Sequence, residues 1–137
     1  MAVIEELIRE EENGALSFGN FELAAKTKKD GFNYNGDIYK IKTFREITKL
    51  EKNGMFVYES VPGTAVHDFK ATDKAVSLVV EGTEDSQVTL ELEAEKEYKI
   101  HVDKVYVGKM KTNLGGKLNI SVELEPNKLV DIQVEKL

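Results

Sequence analysis

Few residues of this 137-residue chain have the types and spacing that nucleophilic catalysis requires. The sequence contains no Cys and no Gly-x-Ser-x-Gly motif, which would place a serine at a nucleophile elbow. Its two histidines are His67, which precedes Asp68, and His101, which lies between two apolar residues. Successive strand residues point to opposite faces, so Asp68 is not expected to orient His67. We therefore predict no catalytic residue and no enzymatic activity.

Carboxylates are far more abundant than histidines. Glu91, Glu93, Glu95 and Glu97 are spaced by two, which places them on one face of an extended segment and is typical of a solvated face. Hydrolysis of a glycan would instead need two acids held about 5–10 Å apart in a cleft. Residues 81–85 (Glu-Gly-Thr-Glu-Asp) lack the residue order of an EF-hand calcium loop, so no metal site is predicted.

One glycine-rich segment has the composition of a phosphate-binding loop. Residues 113–117 read Asn-Leu-Gly-Gly-Lys, but Leu118 follows where a P-loop needs Ser or Thr. The segment leads into a strand pattern and not into a helix. It predicts a hairpin loop, and no cofactor is expected.

Aromatic residues cluster in the first half of the chain, where they offer stacking surfaces for a sugar. Tyr34 and Tyr39 flank Asn35-Gly36 and are the best candidates for an exposed aromatic patch. Phe56 and Tyr58 are expected to share one strand face, and core packing accounts for most of the other rings. The absence of Trp weakens the case for sugar stacking.

The N-terminal residues show helical periodicity. Val3, Ile4, Leu7 and Ile8 recur at helical spacing, and residues 13–14 (Asn-Gly) supply a stop. The pattern predicts a short amphipathic helix over residues 2–12. A helix of about 11 residues does not persist alone in water, so these four apolar residues are candidates for an interaction surface.

After Gly14 the period changes to that of strands. Asn35-Gly36 and Asn53-Gly54 predict tight hairpin turns, since a type I′ turn needs positive φ at both central positions. Residues 26–31 are expected to form a polar bend. Strands are predicted at residues 38–44, 47–52 and 55–60.

The second half of the chain predicts seven short strands with turn signals every 8–12 residues or so, as in immunoglobulin-like sandwiches. We therefore expect a mainly β protein. Residues 1–64 would form the helix and an antiparallel hairpin region, and residues 65–137 an immunoglobulin-like β-sandwich packed against it. The strands are expected at residues 66–70, 75–81, 87–93, 97–102, 105–110, 117–124 and 129–135.

Charge and targeting signals restrict the partners. The net charge of −6 argues against nucleic acid, and no apolar run is long enough to span a bilayer. Without a signal-like N-terminus or any Cys, the chain is expected in the cytoplasm. Residues 119–121 match the glycosylation pattern, which a cytoplasmic chain would not use.

Two segments carry a resemblance to known proteins. Residues 52–66 (KNGMFVYESVPGTAV) and 108–118 (GKMKTNLGGKL), together with the length, resemble a family of small clostridial proteins, some of which are labelled endosialidases. That label implies hydrolysis of polysialic acid, but no catalytic residue of such an enzyme maps onto this chain. Residues 98–118 are also similar to a strand pattern in small sandwich domains appended to carbohydrate-active enzymes.

The leading hypothesis is a non-enzymatic β protein that acts by self-association or as a protein-interaction module. Its partner would be a second copy or another protein. The alternatives are a carbohydrate-binding module that stacks sugars on Tyr34 and Tyr39, and a carboxylate-dependent glycan hydrolase.

Overall fold

Residues 3–137 are described by a computed structural model, and they form a β-sandwich of thirteen antiparallel strands. Residues 3–7 precede the first strand without forming a helix. The strands are β1 (Ile8–Glu10), β2 (Leu16–Phe18), β3 (Thr27–Tyr34), β4 (Asp37–Phe44), β5 (Ile47–Lys52), β6 (Met55–Val61), β7 (Ala65–Ala71), β8 (Ala75–Glu81), β9 (Ser86–Glu91), β10 (Glu97–Val102), β11 (Val105–Lys111), β12 (Lys117–Val122) and β13 (Val130–Lys136).

Two sheets face each other across one apolar core. The seven-stranded sheet has the order β1-β2-β7-β8-β13-β10-β11, and the six-stranded sheet has the order β12-β9-β6-β5-β4-β3. Strands from both sides of residue 64 lie in both sheets. The seven strands β7–β13 divide between the sheets five and two, and β1–β6 complete both sheets.

Alternation of apolar and polar residues decides which side chains enter the core. In β4 the predicted face of Tyr39, Ile41 and Thr43 is buried, which confirms that expectation. In β13 the residues Ile132 and Val134 are buried in the same way.

The predicted N-terminal helix is wrong within the described part of its range, and Ala2 lies outside the described residues. Leu7 has a φ of 74°, which ends any helical path, and residues 8–10 pair with β2. Ile8 lies opposite Phe18, and the backbone N–H of Ile4 donates to the carbonyl of Gly19. A neighbouring strand thus satisfies the backbone of a segment too short to be stable as a lone helix.

Both Asn-Gly hairpin turns are confirmed. Asn35 and Gly36 have φ values of 50° and 82°, and Asn53 and Gly54 have 51° and 78°. The polar bend predicted for residues 26–31 is wrong, because Thr27–Tyr34 is a strand at the edge of its sheet. An edge strand keeps its lysines in solvent, and its pairing is interrupted by a bulge between Lys29 and Phe32.

A buried hydroxyl network holds the passage from β6 in one sheet to β7 in the other. The Thr64 hydroxyl lies 2.8 Å from the hydroxyls of both Tyr58 and Ser60. The hydroxyl of Thr48 donates to the Thr64 carbonyl at 2.7 Å and lies 2.8 Å from that of Thr43. All five side chains are fully buried, so the network satisfies polar groups that water cannot reach.

Candidate functional site

β11 forms one end of the seven-stranded sheet, and none of its seven residues is buried. The exposed fractions are 62% for Val105, 52% for Tyr106 and 57% for Val107. Met110 on the same strand is also exposed. An apolar strand that is open on both faces and along one edge is an unusual feature, which sandwiches normally cover or blunt.

The position of β11 follows from the strand before it. In β10 the side chains of Tyr98 and Ile100 are buried in the core. A two-residue turn with positive φ at Asp103 and Lys104 then reverses the chain. β11 pairs with β10 at the end of the sheet. It lies outside the part of the sheet that packs on the core, so neither of its faces is covered.

A bulge lies in the middle of β11. Gly108 is opposite Ile100 and Tyr106 is opposite His101, which leaves Val107 as the extra residue. Gly108 has a φ of 138°, a conformation that other residues rarely adopt. The bulge gives the edge a local twist, and the strand beyond it is basic, with Lys109 and Lys111.

The other three edge strands have no exposed large apolar side chain. β1 has only three residues, and β3 exposes lysines. In β12 the outward positions are polar, with Asn119 and Ser121. Among the edges that the structure describes, β11 is therefore the one with exposed apolar side chains in succession.

A cleft of about 500 Å³ opens at one end of the sandwich. The β3–β4, β5–β6 and β7–β8 turns and the loop after β9 surround it. Aromatic rings of Tyr34, Tyr39, Phe69 and Tyr98 contribute to its wall, and Val57 and Leu92 add apolar surface.

Tyr34 and Tyr39, predicted as an exposed patch, lie together at this cleft. Their ring centroids are 5.6 Å apart in an edge-to-face arrangement. Tyr34 is half-buried, and its hydroxyl donates to the carbonyl of Gly14 in the loop between β1 and β2. Tyr39 is only 8% exposed, so it is a wall of the cleft and not a free platform. Burial, with help from Asp37, raises the pKa of Tyr39.

Four carboxylates line the cleft, and three of them have a lysine partner. Asp37 lies 3.9 Å from the Lys52 ammonium, and Glu91 lies 2.8 Å from that of Lys117. Glu93 pairs with Lys136 and Lys96, and the first of these pairs lowers the pKa of the Glu93 carboxyl. The fourth carboxylate, Asp73, has no ion-pair partner among residues 3–137.

The predicted row of four glutamates is broken by a turn. β9 ends at Glu91, and Glu95 has a φ of 55°. The buried Thr112 holds this turn, since its hydroxyl donates to the Glu93 carbonyl at 2.6 Å and accepts from the Lys96 backbone at 3.0 Å. Glu91 and Glu93 therefore lie at the cleft, whereas Glu95 and Glu97 do not line it.

The four N-terminal candidates belong to the chain's own packing. Ile4 and Ile8 are 0% and 1% exposed, so the chain itself covers them without a partner. Val3 and Leu7 are half-buried, and Leu7 packs against the core cluster.

Phe56 and Tyr58 do not share an environment as expected. Leu50 is opposite Tyr58 and Glu51 is opposite Phe56, so Val57 is an extra residue that breaks the alternation. Tyr58 is buried, whereas the Phe56 ring lies under the Lys117 ammonium at 4.5 Å.

The remaining motifs have structural partners. The His67 ring lies 3.3 Å from the buried carboxylate of Glu81, and Asp85 accepts from the Leu124 backbone. The Asn113 side chain accepts from the backbone N–H groups of Gly115 and Lys117, which makes residues 113–117 a hairpin loop. No cluster of three metal-ligating side chains occurs in the part of the chain that the structure describes.

The β11 edge was missed by sequence reasoning, although a signal was present. Val105-Tyr106-Val107 places three large apolar residues in succession, where a half-buried strand would alternate with polar ones. Such a run indicates either burial on both faces or a surface that another chain covers.

Comparisons with known proteins give no relative from which a function could be inferred. Among residues 3–137 no helix is long and apolar enough to cross a membrane. No family model, no curated protein and no solved structure matches the chain.

Proposed function

We propose that this protein acts by association and not by catalysis, and that β11 is the surface through which two copies pair. The exposed apolar edge of β11 is the observation that carries the proposal. An uncovered strand edge presents unpaired backbone N–H and C=O groups, which a second strand satisfies by extending the sheet. The same contact places side chains of the second strand beside Val105, Tyr106 and Val107, which shields part of their surface from water.

The charges along the strand favour an antiparallel pair of identical strands. Asp103 and Lys104 form the turn before β11, and Lys109 and Lys111 lie at its far end. In an antiparallel pair centred on Val107, Lys111 of each copy lies opposite Asp103 of the other, and Lys109 lies opposite Val105. A parallel pair would place lysine against lysine, which is destabilising.

Twofold pairing also closes the assembly. Each β11 has one free edge, so two copies use both edges and leave none for a third. We therefore expect a dimer and not a filament.

Mass measurement of the full chain by light scattering after size exclusion tests the proposal. We expect a dimer for the unmodified chain and a monomer for the double variant Val105→Lys, Val107→Lys. The matched control is Leu114→Lys, Leu129→Lys, which changes two exposed apolar residues outside β11 and should stay dimeric. A monomer at concentrations up to about 1 mM, or a control as monomeric as the β11 variant, would overturn the proposal.

Three finer interpretations stay predictions within this proposal. They are the immunoglobulin-like character of residues 65–137, the location in the cytoplasm, and the relationship to the clostridial family with its endosialidase label. Activity on polysialic acid is not part of the proposal.

A further inference from the structure

The cleft at the end of the sandwich is separate from the β11 edge, and no β11 residue lines it. We propose that it is a binding site for an uncharged, hydroxyl-rich ligand, a neutral saccharide, with Tyr39 as a hydrogen-bonding residue.

Tyr39 differs from the other tyrosines at the cleft in the bonding of its hydroxyl. The hydroxyls of Tyr34, Tyr58 and Tyr98 each have a hydrogen-bond partner in the chain. The hydroxyl of Tyr39 has none among residues 3–137; its residue forms part of the cleft wall, and the hydroxyl itself is in contact with the solvent of the cleft. A hydroxyl that faces a cleft without a protein partner can exchange its water for a ligand hydroxyl.

The shape and lining of the cleft also suit a small molecule. Its volume of about 500 Å³ lies in the range of small-molecule sites. The wall combines the rings of Tyr34, Tyr39 and Tyr98 with carboxylates and the side chain of Asn35. Rings contact the apolar faces of a sugar, and carboxylate and amide groups bond its hydroxyls.

The charges of the cleft wall select against anions. Lys52 is paired with Asp37, Lys117 with Glu91, and Lys136 with Glu93. Each of these three lysines is therefore already neutralised and is not free to bind a carboxylate or phosphate ligand. Only Asp73 lacks a lysine partner among these carboxylates, so the wall repels anions and keeps one carboxylate free to accept from a ligand hydroxyl.

A polyanion is the ligand least suited to this cleft. Polysialic acid carries a carboxylate on each sugar, and each would approach the carboxylates of Asp73, Glu91 and Glu93. Binding of a neutral saccharide is therefore distinct from the hydrolysis of polysialic acid that the endosialidase label implies.

The test uses the full chain and four probes. Maltotriose, cellotriose and triacetylchitotriose represent neutral saccharides, and a sialic acid trimer represents the anionic class. Amide shifts in nuclear magnetic resonance spectra locate binding, and titration gives the affinity. We expect at least one neutral probe to bind with a Kd of about 1 mM or lower and to shift amides of the cleft turns.

Two variants examine the residues. Tyr39→Phe keeps the ring and should weaken binding of that probe about five- to tenfold while leaving thermal stability unchanged or higher, because the hydroxyl has no partner within residues 3–137. Asp73→Asn, in an exposed turn, should weaken it to a similar extent. The matched controls are Tyr106→Phe and Asp30→Asn, which lie outside the cleft and should bind as the unmodified chain does.

Three results would overturn the inference: no shift at the cleft with any neutral probe, tighter binding of the sialic acid trimer than of every neutral probe, or equal effects of Tyr39→Phe and Tyr106→Phe. Because β11 takes no part in the cleft, a chain that is monomeric in solution can still satisfy the saccharide test.

Discussion

The hydroxyl groups of Tyr58 and Thr64 lie 2.8 Å apart and join the middle of β6 to the residue just before β7. β6 belongs to the six-stranded sheet and β7 to the seven-stranded sheet, so this hydrogen bond lies where the chain crosses the sandwich. Both side chains are fully buried. Their bond, with that of Ser60 to the same threonine, ties the two sheets together at a point that the apolar core alone would leave unspecified.

Thr64→Val tests the importance of this network. Valine keeps the shape of threonine but leaves the hydroxyls of Tyr58 and Ser60 buried without their shared partner. We expect a loss of about 2–4 kcal/mol in the free energy of unfolding, measured by urea denaturation. Thr89→Val is the control, because the Thr89 hydroxyl bonds Asn119 at an exposed position and its loss should cost less than about 1 kcal/mol. Equal losses in the two variants would contradict the role of the network.

Burial of Tyr58 predicts a loss of stability in alkali. Desolvation raises the pKa of Tyr58 to about 12, although the hydrogen bonds from Thr64 and Ser60 act in the opposite direction. The unfolded chain loses this proton at its usual pKa near 10 whereas the folded chain keeps it, so stability is complete below about pH 10 and falls as the pH rises toward 12.

The size of this alkaline loss is about 3 kcal/mol, measured by urea unfolding across the pH range. Tyr58→Phe removes the titrating group, so its stability curve should be flatter over the same range. Parallel curves for the variant and the unmodified chain would show that another group causes the loss.

Gly116 is a position where a side chain cannot be accommodated. A Cβ there would lie 2.2 Å from the carbonyl oxygen of Leu92, and the φ of 79° adds backbone strain. Gly36 has a similar φ of 82°, but a Cβ added there would have no other atom within 4 Å. We expect Gly36→Ala to cost about 1 kcal/mol and Gly116→Ala to cost at least about 2 kcal/mol, as read from thermal or urea unfolding. Similar costs in the two variants would mean that the Leu92 contact relaxes freely.

Local sequence signals predicted much of this fold. Asn35-Gly36 and Asn53-Gly54 placed two hairpins, because positive φ at two successive positions suits few other residue pairs. Alternation in residues such as Tyr39, Ile41 and Thr43 gave the buried face of β4. The seven strands expected after residue 64 are present within a few residues of their predicted ends.

The errors arose where a distant strand decides the local structure. Val3, Ile4, Leu7 and Ile8 have helical spacing, but pairing with β2 and a positive φ at Leu7 make the segment extended. Alternation also failed at Phe56 and Tyr58, because an extra residue at Val57 is visible only once the register with β5 is known.

The candidate sites depended even more on tertiary structure. Tyr34 and Tyr39 were singled out, but their place beside Asp73 and Tyr98 results from turns brought together by two sheets. The exposure of Val105-Tyr106-Val107 follows from sheet order, which no local pattern encodes.

The pairing of two β11 strands is tested most directly by a single cysteine at its centre. The chain contains no Cys, so Val107→Cys introduces the only thiol. In an antiparallel pair centred on Val107 the two Cβ atoms would lie about 4.5–5.5 Å apart, close to the spacing of a disulfide. Under mild oxidation we predict rapid formation of a disulfide-linked dimer, with Leu129→Cys, exposed to a similar degree, as the slow control. Equal rates for the two variants would contradict pairing through β11.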